Sequence, residues 1–306
     1  MKTIDVVIGG NAGSEGKGKI VAYMASKTKY DMVICHHGSN AGHTAFDEEG
    51  NKYITRQLPM GLLCKDAELI IGAGAIIDLE VLLQELEQFE RFNVKDRLMI
   101  HPRAAIITAE DKSLEATQLK SISSTMKGVG AASAAKIMRT NALLARNVSA
   151  LKKYVMHDLD AYILEMAMSG KRIMIEGAQG FDLDINHGWE YPYCTSRQCS
   201  VQQLLADSGI PYNAPINKVV AVIRPYPIRV GNLTENGKVI GPSGSLGEEV
   251  QWADVAEASG YPLEDLLVIE KTTVTNRQRR VFKLDIDRVT LMAKMNGVTD
   301  LALNFV

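Results

Sequence analysis

The run Gly9-Gly10-Asn11-Ala12-Gly13-Ser14-Glu15-Gly16-Lys17-Gly18-Lys19 constrains this chain more than any other stretch. It follows a short apolar segment, Ile4 to Ile8, and precedes a helix-like one, Ile20 to Ser26. Strand, glycine-rich turn and helix start together make a geometry that cradles phosphate. Glycines let backbone N–H groups converge on an anion, the helix N-terminus adds partial positive charge, and lysines add full charge. Gly13 through Lys19 has the glycine spacing and the lysine of a Walker A loop, but Ile20 stands where a Ser or Thr hydroxyl would meet magnesium. The stretch therefore reads as a phosphate loop of another lineage. A bare β-to-α turn is the competing reading, and two lysines inside the turn serve it poorly.

At 306 residues the chain can bury a sizeable core, as one large α/β domain or two smaller ones. A formal net charge of −2 gives no global attraction to nucleic acid or membranes, so any basic site is local. An acid, Asp5, interrupts the only N-terminal apolar run, which excludes a signal peptide. Stretches such as Leu69 to Ile77 are too short and glycine-rich to span a bilayer. Cys35, Cys64, Cys194 and Cys199 lack paired spacing and read as free thiols in a reducing compartment, hence a cytoplasmic protein.

Four further stretches carry chemistry. After a strand-like Met32 to Cys35, three histidines fall within eight residues, His36, His37 and His43. They invite a zinc reading, but their spacing fits no usual zinc pattern. A histidine on a glycine-rich loop at a strand end suits proton transfer or phosphate contact, which is the role expected of His43; His36 and His37 are expected to be structural. Leu69 to Asp78 reads as a buried strand and turn, Leu79 to Phe92 as a helix, and Arg97 to Thr108 as another strand. Ser123 to Ala132 is a second small-residue loop before a helix, able to offer hydroxyls and amides to a phosphate or to be an ordinary loop and cap. Ile173 to Gly180 repeats the strand-then-glycine theme, and Asp182 and Asp184 beyond it are expected to be structural, on one face of an extended segment. Lys271 to Arg280 packs three arginines and three threonines into ten residues, a set suited to carboxylates or phosphates. An RNA patch would need interleaved aromatics and a basic excess, and both are missing.

Taken together, these segments resemble the adenylosuccinate synthetase family, from about Val6 to Lys294. The signatures are GSEGKGK for the family's GDEGKGK, NAGHT and EGAQG unchanged, and TMKGVGAA for a T-G-R-G-I-G-P-A-like loop. HGWEYPYCTS and TVTNRQRR are similar to HGTYPYVTS and TTGRxRR. The resemblance implies a single catalytic domain over residues 1–306, with a central, mostly parallel sheet flanked by helices, working as a homodimer. It implies a Mg2+-dependent ligase in which a nucleoside triphosphate phosphorylates the purine O6 and the amine of aspartate then displaces that phosphate at C6.

By the same resemblance, His43 stabilises the transferring phosphoryl group, and Ser14 stands at the catalytic position. Gly13, Glu15, Gly16, Lys17, Gly18 and Lys19, with Gly42, His43 and Thr44, hold the triphosphate, and Gly42 and Ser14 occupy the metal-ligand positions. Ser14, Asn40, Thr125, Gln179 and Thr195 face the purine nucleotide, with Arg277 near its ribose. Arg139 reaches its phosphate from the neighbouring subunit. Thr273, Val274, Thr275, Arg277 and Arg279 take the carboxylates of aspartate.

The departures are as informative. The family's catalytic aspartate, which removes the N1 proton and binds magnesium, is Ser14 here. A serine has no comparable basicity, but it leaves room beside N1 and can accept a hydrogen bond from an amino group at C2. The family reads a guanine triphosphate with a K-x-D element; matched to Lys294-Met295-Asn296, it has lost its carboxylate, which favours an adenine donor. The chain stops at Val306, as expected of the family's compact forms. This combination resembles the phage-type branch, which joins L-aspartate to dGMP using ATP or dATP. An enzyme acting on IMP, with Glu15 or a water as base, is the first alternative. An inactive nucleotide sensor and a GTPase-like switch are the others.

Overall fold

Short apolar runs flanked by turn residues become the strands of one parallel sheet, in which both faces are covered and every position can be apolar. The protein is described by a computed structural model over residues 2–47, 49–272 and 277–305. The strands are β1 (Ile4–Gly9), β2 (Met32–Cys35), β3 (Glu68–Ile71), β4 (Leu98–Ile100), β5 (Ile173–Glu176), β6 (Ile216–Ile223) and β7 (Asp300–Leu303). Their order across the sheet is β7-β6-β1-β5-β2-β3-β4, with every neighbouring pair parallel.

The helices that position the site are α1 (Lys17–Lys27), α2 (Leu79–Gln88), α3 (Ala109–Gln118), α4 (Val129–Met138), α5 (Leu159–Met168), α6 (Val201–Asp207) and α7 (Ile286–Asn296). Alternating strand residues send Val7, Val33, Leu69, Met174 and Val222 to one face, against Val21 and Ala22 of α1 and Leu82 and Leu86 of α2. Ile8, Ile34 and Ile175 face the other way, against Ile163 of α5, Leu204 of α6 and Met292 of α7. Asp5, buried in the middle of β1, is tolerated because the Tyr30 hydroxyl donates to one oxygen at 2.6 Å and the Asn217 amide to the other at 2.8 Å.

Two runs expected as single elements divide. Arg97–Thr108 becomes β4 and a two-residue strand, Ala105–Ile106, because Pro102 falls in the turn between them. The Leu69–Asp78 run breaks at its glycines, and Ile76–Ile77 pairs with Ala105–Ile106 in a separate small sheet. Asp182 lies in a tight turn, Phe181–Leu183, rather than on an extended face shared with Asp184. Both are structural. Asp182 accepts from Arg288 Nε at 2.7 Å, and Asp184 accepts from the amides of Asn186 and His187 at 2.8 and 3.0 Å. All four cysteines are free thiols, three of them buried. Among the described residues, no helix is long and apolar enough to cross a membrane.

Strand order decides where a site forms. β1 lies between β5 and β6, and β5 separates it from β2, so the loops after β1, β2, β5 and β6 leave the same carboxyl edge as neighbours. The loops after β1, β2 and β5 carry the first phosphate-loop, histidine and EGAQG motifs.

Candidate active site

The first loop is built from left-handed backbone. Gly13, Ser14 and Gly16 have φ values of 89°, 56° and 86°, and Ser14 adopts that conformation despite its Cβ. Gly18 has a different reason to be glycine, since a Cβ there would lie 2.7 Å from the Thr44 carbonyl oxygen. That close approach seats the start of α1 on the strand His43–Phe46. No side chain caps α1.

Glu15 corrects two expectations. It is fully buried, Oε1 accepts from the amides of Asn11 at 3.2 Å and Gly13 at 2.8 Å, and Oε2 pairs with Lys17 Nζ at 2.8 Å. Its carboxylate is engaged within the loop, which argues against its serving as a base at N1 and leaves the backbone of Glu15, rather than its side chain, to face a nucleotide. Two of the amides expected to cradle phosphate are instead held by the chain's own anion. Lys19 remains beside Arg224, and burial together with that cation lowers its pKa. Glu270 offsets part of that charge, and the excess of cations over carboxylates suits an anion.

The second loop is filled in the same way. Glu115, from α3, accepts from Gly128 N at 2.7 Å, Gly130 N at 2.5 Å and Ala131 N at 3.3 Å. The amides at the start of α4 are therefore unavailable, and what remains here is side-chain chemistry from Ser124 and Thr125.

A cavity of about 410 Å3 opens between the loops. Of the residues singled out from the sequence, Gly13, Ser14, Lys17, Asn40, Gly42 and His43 line it. Thr125, Gln179, Thr195 and Arg279 complete the set. Gln179, itself at φ 62°, donates from Nε2 to Asn40 Oδ1 at 3.3 Å, joining the loop after β5 to the one after β2. Arg277 lines a neighbouring cavity instead and donates to the Gly231 carbonyl at 2.9 Å. Gly16, Gly18 and Lys19 at the α1 end of the loop, and Thr44 in the strand beside it, lie outside the cavity lining. Arg139 terminates α4 in a left-handed conformation, exposed and away from the cavity of its own chain. Thr273, Val274 and Thr275 lie outside the described residues.

Lys294 and Asn296 are a correction. They end α7, which packs behind the sheet, and Asn296 is buried with its Oδ1 on Val201 N at 2.9 Å and its Nδ2 on the Met292 carbonyl at 2.9 Å. An amide so engaged reads no nucleotide base. The chain returns to the phosphate loop only after β7, where Asn304 donates to the Glu15 carbonyl at 2.9 Å and the Phe305 ring lies 4.3 Å from Lys19 Nζ.

Sequence reasoning missed three participants. Glu176, the last residue of β5, is fully buried and hydrogen-bonded to His43 Nδ1, while its other oxygen accepts from Met60 N at 2.7 Å. Its signal was a charged residue closing an apolar strand. Burial raises the Glu176 pKa, and burial with the Lys17 ammonium lowers that of His43. The two shifts favour a net-neutral pair sharing one proton, so the Nε2–H of His43 is left for the cavity. Glu270 binds Arg224 at 2.7 Å and Arg279 at 2.9 Å in a buried cluster. The Nε of Arg279 has no partner among the described residues. Arg229 is buried at the cavity wall, where its Nε donates to the Ser243 carbonyl at 2.8 Å and its Nη2 to the Tyr193 carbonyl at 2.9 Å. Nothing in the sequence distinguishes it from a surface arginine.

A magnesium ion fits the oxygens available here. Ser14 and Gly42 both line the cavity and carry a hydroxyl and a carbonyl that could serve such an ion, which would take its remaining ligands from phosphate and water.

The adenylosuccinate synthetase family model matches residues 6–153 and 141–306. The adenylosuccinate synthetase of Methanococcus vannielii is 35% identical over 98% of this chain and 83% of its own length. That of Pyrococcus horikoshii is 36% identical over 97% and 82%. Among solved structures, the succinoaminodeoxyadenylate synthetase of cyanophage S-2L, bound to dGMP and dATP as an energy donor, aligns with a TM-score of 0.84 at 32% identity. It is matched over 100% of this chain and 85% of that one. A fully ligated adenylosuccinate synthetase from Plasmodium falciparum shares the fold, with a TM-score of 0.83 at 24% identity over 99% and 76%. By fold, motif order and family match alike, the chain belongs to the adenylosuccinate synthetase family of carbon–nitrogen ligases.

Proposed function

We propose that this enzyme joins L-aspartate to C6 of dGMP, with ATP or dATP as the donor and Mg2+ bound, as one catalytic domain in a homodimer. The observation that carries the reading is the cavity wall at Ser14. A small hydroxyl stands there, exposed, while the adjacent carboxylate of Glu15 is buried and paired with Lys17. A carboxylate at that place would crowd the C2 amino group; the smaller serine leaves room for it, and its oxygen accepts a hydrogen bond from that group. The ligands of the cyanophage structure, dGMP and dATP, support the same acceptor and an adenine donor.

In this reading, Lys17, Lys19 and the uncapped end of α1 hold the triphosphate, and bound magnesium neutralises phosphate charge. His43 donates from Nε2 to the phosphoryl group as it moves to O6, with Glu176 fixing the ring through Nδ1. As O6 takes the γ-phosphoryl group, the nucleoside diphosphate departs and the N1 proton passes to water. The amine of aspartate then attacks C6 and gives up a proton to water, the O6–C6 bond breaks, and phosphate leaves. Arg279, which lines the cavity, takes an aspartate carboxylate, and Arg139 of a second copy completes the acceptor phosphate site. Positioning and charge stabilisation supply most of the rate in such transfers.

The test is phosphate release with Mg2+, aspartate and ATP, comparing dGMP with IMP. Turnover with dGMP alone, and only with aspartate present, is the expected result; turnover with IMP alone overturns it. IMP as acceptor is the second reading, supported by the identity to archaeal adenylosuccinate synthetases. Ser14→Asp is expected to depress dGMP turnover about tenfold or more, by filling the space that the C2 amino group needs.

A further inference from the structure

The histidines after β2 have no zinc-like spacing along the chain, and the fold supplies the ligand that the spacing lacks. His37 and His43 stand edge to face with ring centroids 4.3 Å apart. Glu176 reaches them from β5, bonded through Oε1 to His43 Nδ1 and lying 3.8 Å from His37 Nε2. One donor atom from each residue falls within 4.8 Å of the others, and all three residues are buried. His37 is 3% exposed, yet its Nε2 has no hydrogen-bond partner among the described residues. An orphaned ring nitrogen beside a buried carboxylate is costly to maintain unless something coordinates it.

The geometry points to a binding site for one divalent transition-metal ion, of the zinc or cobalt type, held by His37 Nε2, His43 Nδ1 and Glu176 Oε1. The donor chemistry separates it from the magnesium site. Two imidazoles and one carboxylate suit Zn2+, Co2+ or Fe2+, whereas Mg2+ takes hard oxygens and keeps its waters. The ion replaces the proton that His43 and Glu176 share, so one proton leaves for each ion bound. His43 lines the active-site cavity, so the cluster lies directly behind that part of its wall. The nearby Lys17 charge is offset by Glu15 at 2.8 Å. An imidazole bound through Nδ1 keeps its Nε2–H. On the reading proposed above, occupancy therefore alters the strength of the His43 acid without removing it.

The test uses the full chain, stripped with a chelator and held in excess Mg2+, titrated with Co2+ and read by visible absorption. The expected result is intense d–d bands saturating at one equivalent and abolished by added Zn2+. His37→Phe, which fills the same space without donors, should weaken Co2+ binding by roughly tenfold or more at an unchanged melting temperature. Glu176→Gln should do the same, and His37→Gln serves if the phenylalanine variant fails to fold. Absence of d–d bands at stoichiometric Co2+, or unchanged affinity in a folded His37 variant, overturns the site. The readout needs neither dGMP nor aspartate, so its failure leaves the substrate assignment standing.

Discussion

The two glycine-rich loops, Gly9 to Lys19 and Ser123 to Ala132, both hold a buried glutamate where an open loop would hold a ligand, but they balance it differently. In the first, Glu15 comes from the loop itself and is paired with Lys17, while Lys19 adds positive charge beside the Arg224–Glu270 pair. In the second, Glu115 arrives from the preceding helix and meets only backbone amides among its described hydrogen-bond partners. The same device thus leaves one loop electropositive and the other neutralised. A polyanion such as a triphosphate suits the first. The second can offer hydroxyls, and on the proposed reading it needs an arginine, Arg139, from outside.

The largest expected effect tests which loop the chemistry follows. His43→Ala should lower kcat by roughly two to four orders of magnitude with a melting temperature near wild type, measured by phosphate release. An equal loss in a Thr125→Ala variant would move the chemistry to the second loop. Next comes Glu15→Ala, which strands a buried Lys17 ammonium and two amides. It should cost about 3–5 kcal/mol of stability in urea unfolding, because removing one partner leaves the other charge buried and unpaired. Glu115→Ala removes an anion held only by amides, and about 1–3 kcal/mol is expected. If the two glutamate variants were equally destabilised, the pairing of Glu15 with Lys17 would carry none of the difference between the loops.

The smallest effect is a pH dependence at the edge of the first loop. Burial alone would raise the pKa of Glu270, but Arg224 and Arg279 outweigh it and the net shift is down. A carboxyl lowered on folding contributes stability above its unfolded pKa, about 4.3, and loses it as pH falls through the folded value. The stability gap between wild type and Glu270→Gln should therefore be full near pH 6 and shrink below about pH 4, as read from urea midpoints.

The parallel sheet was legible because its strands are continuous apolar runs, and buried parallel strands have no polar face to confuse the pattern. Runs containing Pro102 or Gly72 and Gly74 were overextended, since apolar character alone does not show where a chain turns. The motif residues Ser14, Asn40, His43, Gln179 and Thr195 lie together on one cavity wall. The match of Lys294 and Asn296 to a nucleotide-reading element failed for a definable reason. A two-residue spacing looks the same on a helix behind the sheet as in a loop after β7, and only the packing of Asn296 against Val201 tells them apart.

By itself, the sequence determined that glycine-rich loops follow buried strands and that lysines, histidine and arginines gather on them, because spacing and residue type are local properties. It also determined that no carboxylate stands at position 14. Only the tertiary structure decided where the charges point. Glu15 turning inward and Glu115 filling the second loop depend on how each loop folds back on itself, while Glu176 joining His43 from 133 residues away and Glu270 meeting Arg224 depend on strand order. Burial makes each of those pairings strong, and burial is a property of the packed sheet rather than of any segment within it.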